Sequence, residues 1–191
     1  MKALLLHPTS TAQWQALVIE ARRAAQAELN ETLESYLVFL LMRFTSRPEI
    51  ANCVLAVEYL QTLLDHGRPR QDKLRDVGDR CLLFSGLFPQ RAEQRRVKIS
   101  YFVNLGRSAY QELGDSLPQS MASLYQSLAV DFIGLMDVLQ AMRQLGVDQP
   151  ALSPFAAYDL WNDTGSSQAL KSLQNHTGDA GIPAPSTTSR N

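Results

Sequence analysis

The sequence is poor in the residues that most often announce a chemistry. Two cysteines, Cys53 and Cys81, in 191 residues leave no material for a disulfide framework. Both sit in apolar helical patterns, where a thiol packs as a small hydrophobe. Cys81 follows Arg80 and is the better of the two as a reactive thiol. Of the three histidines, His7, His66 and His176, no two are spaced to share a metal on one helix. No Glu-x-x-His motif of a di-iron bundle occurs, and Glu31, Glu34 and Glu58 read as a solvated flank. There is no phosphate-binding Gly-x-x-x-x-Gly-Lys loop, no dinucleotide glycine fingerprint and no Gly-x-Ser-x-Gly elbow. Without a base, a metal or a phosphate cradle, no catalytic residue and no cofactor is assigned.

Charge of one sign is also lacking. Lys and Arg total 18 against 19 Asp and Glu, a net charge of −1. That excludes a uniformly basic nucleic-acid binder and an acidic disordered chain. Long apolar runs are missing as well. The strongest, Tyr36 to Met42, has seven residues, where a membrane-spanning helix needs about 20. The leader Ala3-Leu4-Leu5-Leu6 stops at His7-Pro8, too short for a secretory signal. The expected location is the cytoplasm.

What is present is helical periodicity. Neither Gly nor Pro interrupts Thr11 to Thr45. Ser10 with Gln13 reads as a capping box, and Asn30 as the cap of a second helix from Glu31 to Phe44. Leu29, Leu33, Tyr36, Leu37, Leu40, Leu41 and Phe44 recur on one face of that helix, with Val38, Phe39 and Met42 on its other sides. It is therefore expected at the centre. Ser46-Arg47-Pro48-Glu49 opens a third helix carrying Ile50, Val54, Val57 and Leu64. A fourth carries Leu74, Val77, Cys81, Leu82 and Phe84. A fifth is expected over about 92–113, and a sixth, unbroken, from Met121 to Leu145. Ser153-Pro154 begins a seventh with Phe155, Tyr158 and Trp161. The expectation is an all-α single-domain bundle of six or seven helices over 10–161, after an N-terminal arm at 1–9. Residues 162–191 hold 14 Gly, Pro, Ser or Thr in 30 positions. They are expected as a flexible tail, in which 168–173 has enough apolar character for one docked turn.

The near-neutral charge conceals a sorting along the chain. Residues 1–67 carry net −2, residues 68–107 net +6, and residues 108–191 net −5. Within the basic block, Arg75 with Asp79 and Asp76 with Arg80 are spaced for surface ion pairs. Arg91, Arg95, Arg96 and Lys98 are opposed locally only by Glu93. They are the candidate partner-binding face, unless acids such as Asp131 and Asp137 cover them. The leading expectation is a non-enzymatic interaction or regulatory protein that docks an acidic partner or its own acidic surface, with self-association. Nucleic-acid binding through 68–107 is a lesser alternative, because no recognition motif accompanies the charge. A further alternative, a small-ligand or cofactor binder, places Tyr101, Phe102, Tyr110, Tyr125 and Phe132 around a cavity. Gly78, Gly86, Gly106 and Gly134 inside helical patterns signal close helix crossings or that cavity.

Overall fold

A computed structural model describes residues 9–47, 66–146 and 152–177. Among these residues the fold is all-α, with nine helices and no strand. In chain order they are α1 (Ser10–Ala25), α2 (Glu31–Ser46), α3 (Arg68–Leu87), α4 (Pro89–Gln94), α5 (Ile99–Ser116), α6 (Gln119–Val130), α7 (Phe132–Leu145), α8 (Pro154–Thr164) and α9 (Ser167–Thr177). The expected helix carrying Ile50, Val54, Val57 and Leu64 lies outside the described residues, as does Cys53.

Local capping explains several boundaries. Asn30 Oδ1 accepts the Leu33 N–H at 2.9 Å and starts α2. The Ser153 hydroxyl accepts the Ala156 N–H at 3.3 Å, with Pro154 at the first helical position of α8. At α1 the cap is one residue earlier than the sequence suggests: Thr9, not Ser10, accepts the Ala12 N–H. α6 starts at Gln119 with no side-chain cap; Ser116, three residues before it, donates its hydroxyl back to the Leu113 carbonyl at 2.9 Å.

The core is organised on α3 rather than α2. From Leu74 to Gly86 nearly every α3 side chain is buried, because α5 packs along one side and α7 along another. α2 buries Leu33, Leu37, Val38, Leu40 and Leu41, but Phe39 is 63% exposed. α1 packs on α2 and α7, and α8 with α9 covers the far ends of α5 and α7.

Three expectations are corrected. The apolar stripe from Met121 to Leu145 is two helices, bent by 63° at Asp131. Arg107 Nε donates to the Ala129 carbonyl at 3.1 Å, the group an unbroken helix would offer to the N–H four residues on. The expected fifth helix over 92–113 is also interrupted. α4 ends at Gln94, and Arg96 takes a left-handed φ of 56° before α5 begins. Finally, the fold continues past 161 into the expected tail. α9 is helical and buries Ala169 and Leu173. Its N-terminal N–H groups are satisfied by Asp137 of α7, whose carboxylate accepts from Ser166 Oγ at 2.5 Å, Ser167 N at 2.9 Å and Ser167 Oγ at 3.0 Å. Asp137 is thus a buried cap for the C-terminal helix and not a counter-charge for the basic segment. Among the described residues no single helix is long and apolar enough to cross a membrane; α6 and α7 meet that criterion only jointly, across their bend.

Candidate functional site

The most polar point in the core is one the charge pattern misassigns. Asp79 reads as a surface partner of Arg75, yet it is fully buried. Tyr36 of α2 and Tyr110 of α5 both donate their hydroxyls to Asp79 Oδ1, each at 2.6 Å. Arg43, two turns along α2 from Tyr36, pairs with Oδ2. Arg75 instead meets Asp72 at 3.5 Å and Asp76 at 3.9 Å on the helix surface.

The electrostatics follow from burial. Burial, joined by the Asp79 carboxylate, pushes the Tyr36 and Tyr110 phenols well above their ordinary range, so both stay protonated donors. Burial opposes the charge on Arg43, but Asp79 outweighs it and the guanidinium is held above its usual value. Tyr125 completes an aromatic cage, with its ring 6.4 Å from Tyr36 and 6.2 Å from Tyr110. The arrangement satisfies a buried carboxylate from two further helices and ties α2, α3 and α5 together. Neither phenol proton is poised for transfer near neutral pH.

The small-ligand reading names five aromatics, which fall in two groups: Tyr110 meets Tyr125 and Phe132 with centroids 6.2 and 6.0 Å apart, and Tyr101 meets Phe102 at 5.4 Å. Tyr110 and Tyr125 belong to the Asp79 centre. Phe132 is buried against Gly106, where an added methyl would lie 2.6 Å from its ring and 2.7 Å from Cys81 Cβ. Phe102 stacks on Phe84 with centroids 5.1 Å apart, and Tyr101 is exposed. Tyr110 and Phe132 therefore fill the space that the glycines leave. Gly134 makes only ordinary contact with Leu29. Burial pushes the Cys81 thiol far up, which leaves it unreactive.

Arg91, Arg95, Arg96 and Lys98 straddle the break between α4 and α5, so the single helical face that their spacing offers Arg91, Arg95 and Lys98 does not form. Arg91 lies over the Phe88 ring at 4.7 Å and Arg95 over Phe84 at 5.5 Å. Lys98 meets Asp159 at 3.4 Å and Asp163 at 3.7 Å, both from α8. Arg96, in its left-handed turn, is exposed. Elsewhere in the basic block Arg70 pairs with Glu112, so Arg70 and Lys98 are paired with acids from outside the block.

Beside this break a groove of about 260 Å³ runs between the start of α5 and the start of α8. Val97 and Ile99 line it with Glu93, Arg96, Lys98 and Asp159, and Phe155 stands at its edge, 88% exposed. Of the three aromatics on α8, Trp161 is buried while Phe155 and Tyr158 are exposed. The groove combines residues 60 positions apart, and the sequence signal for it was the cationic cluster at 91–98. Compared with protein-family models, with curated proteins and with solved structures, the chain matches none.

Proposed function

We propose that the chain is a non-enzymatic interaction or regulatory protein, a single helical domain acting in the cytoplasm. It docks a protein through the cationic break at residues 91–98 and the adjoining start of α8. The observation that carries this reading is Phe155, an almost fully exposed aromatic beside a groove rimmed by Arg96 and Lys98. Exposed aromatics flanked by arginine are the residue types that anchor protein interfaces. Arg95 and Arg96 add positive charge that steers an acidic partner.

The test is fluorescence anisotropy with labelled synthetic peptides rich in Asp and Glu and carrying one aromatic residue. Wild-type protein is expected to bind them, with affinity falling as salt rises. Arg95→Glu with Arg96→Glu is expected to weaken binding at least about tenfold. Absence of binding, or binding indifferent to the reversal, overturns the docking of an acidic partner. Binding of a DNA duplex in place of the peptides, with a steep salt dependence, replaces it with phosphate recognition.

A further inference from the structure

We infer that the open groove between α5 and the end of α6 is a binding site of its own, apart from the cationic break, and that it takes a short peptide with both termini free. The groove holds about 610 Å³, within the roughly 300–1,000 Å³ of small-ligand clefts. One wall is a polar stripe along α5, on which Asn104, Ser108, Gln111 and Asp115 follow at helical spacing. The other is the end of α6, where the chain turns by 63° into α7. Val130 stands there 70% exposed, an apolar surface for a small side chain.

The charges set the ligand class. Arg107 donates Nε to the Ala129 carbonyl at 3.1 Å, which pins its guanidinium to the groove wall. Its two terminal nitrogens have no partner among the described residues, and such a fork takes a carboxylate with two parallel hydrogen bonds. At the other end Asp115 also lacks a partner among the described residues. It lies in the last turn of α5, where the helix carbonyls add to the attraction for an ammonium group. Glu112, in the same wall, is paired with Arg70. Between the two unpaired charges, the Ser108 hydroxyl and the Gln111 amide present donors and acceptors of the kind that peptide groups need. Arg107 and Asp115 are eight residues apart, about 12 Å along the helix. An extended tripeptide spans about 10 Å, and the two side chains close the difference. A bare anion or a single amino acid reaches only one of the two ends.

The experiment is isothermal titration of the full chain with trialanine, its N-acetylated form and its C-terminal amide. Wild type is expected to bind trialanine saturably with a Kd below about 1 mM. Capping either end removes one terminal charge and is expected to weaken binding at least about tenfold. Each variant should lose sensitivity to one cap only. Asp115→Asn no longer distinguishes the acetylated peptide, and Arg107→Met no longer distinguishes the amide. Arg107→Met also removes the bond to Ala129, so its thermal melt is recorded beside its titration. Asp115 is exposed, and Asp115→Asn with the acetylated peptide decides the matter if Arg107→Met does not fold. No saturable binding of trialanine up to about 10 mM, or binding indifferent to both caps, overturns the inference. Displacement of trialanine by equimolar inorganic phosphate or acetate also overturns it, because the site is then a simple anion site.

Discussion

The ring of Tyr110 lies in the space that a side chain on Gly78 would need. This close approach lets its hydroxyl reach the carboxylate of the next residue, Asp79, at 2.6 Å. The glycine thus permits the burial of the acid that follows it.

Gly78→Ala tests this directly. An added Cβ falls closer than 3.0 Å to three atoms of the Tyr110 ring, an overpacking expected to cost about 1–3 kcal/mol. Alanine's better helix propensity, about 1 kcal/mol, offsets only part of it. At Gly134 the nearest atom is 3.7 Å away, so Gly134→Ala is expected to be neutral or to stabilise by up to about 1 kcal/mol. Urea denaturation near neutral pH distinguishes the two. Equal effects would show that the crossing at Gly78 is not the constraint.

The Asp79 centre has a pH signature. The folded phenols of Tyr36 and Tyr110 titrate above the unfolded value of 10.0. The folded state therefore holds protons that the unfolded chain has released. Stability from these groups is complete below about pH 10 and falls as pH rises from there through the folded values. Tyr36→Phe and Tyr110→Phe are each expected to cost about 1.5–3 kcal/mol near neutral pH, as hydrogen bonds to a charge. The double variant should show a shallower decline above pH 10. Urea midpoints between about pH 7 and 11.5 measure both; an unchanged alkaline slope would contradict the assignment.

Asp137 holds a local unit. Asp137→Ala leaves the Ser167 N–H without its acceptor and removes the buried cap of α9. The expected loss is about 1–2 kcal/mol, the scale of an N-cap. Hydrogen exchange should accelerate over 167–177 well beyond any change in α3. Uniform acceleration across all helices would mean that α9 does not detach independently.

These cases mark how far the sequence could be read. Helix class followed from periodicity, which each helix carries within itself. Asn30 and Ser153 were readable because a cap bonds three residues away. Asp79 was not, because its partners Tyr36 and Tyr110 are 43 and 31 positions distant, while Arg75 at four positions offered a plausible local alternative. The docking of α9 depends on Asp137, 30 residues upstream of Ser167. The bend at Asp131 left the apolar stripe intact, with neither Gly nor Pro at the break. The groove beside Phe155 brings the cationic cluster at 91–98 against the start of α8, about 60 positions later, a meeting that no local pattern records.

Arg143 offers a different kind of test. It is 6% exposed, and among the described residues its guanidinium nitrogens have no hydrogen-bond partner. Burial lowers its pKa, opposed by the nearby Glu93 carboxylate. A buried donor left unsatisfied costs about 1–3 kcal/mol. Arg143→Met keeps the aliphatic stem and is expected to raise stability by a similar amount in thermal and urea unfolding. A loss of stability would show that attraction to Glu93 outweighs desolvation.

The Asp79 centre also bears on the order in which the chain assembles. If α3 closes onto α5 before α2 arrives, the Asp79 carboxylate is enclosed with one phenol and no guanidinium beside it. Such an enclosure costs several kcal/mol. Partly assembled forms are therefore penalised until Tyr36, Arg43 and Tyr110 are in place together. One acid at position 79 makes three helices from distant parts of the chain a single cooperative step in folding.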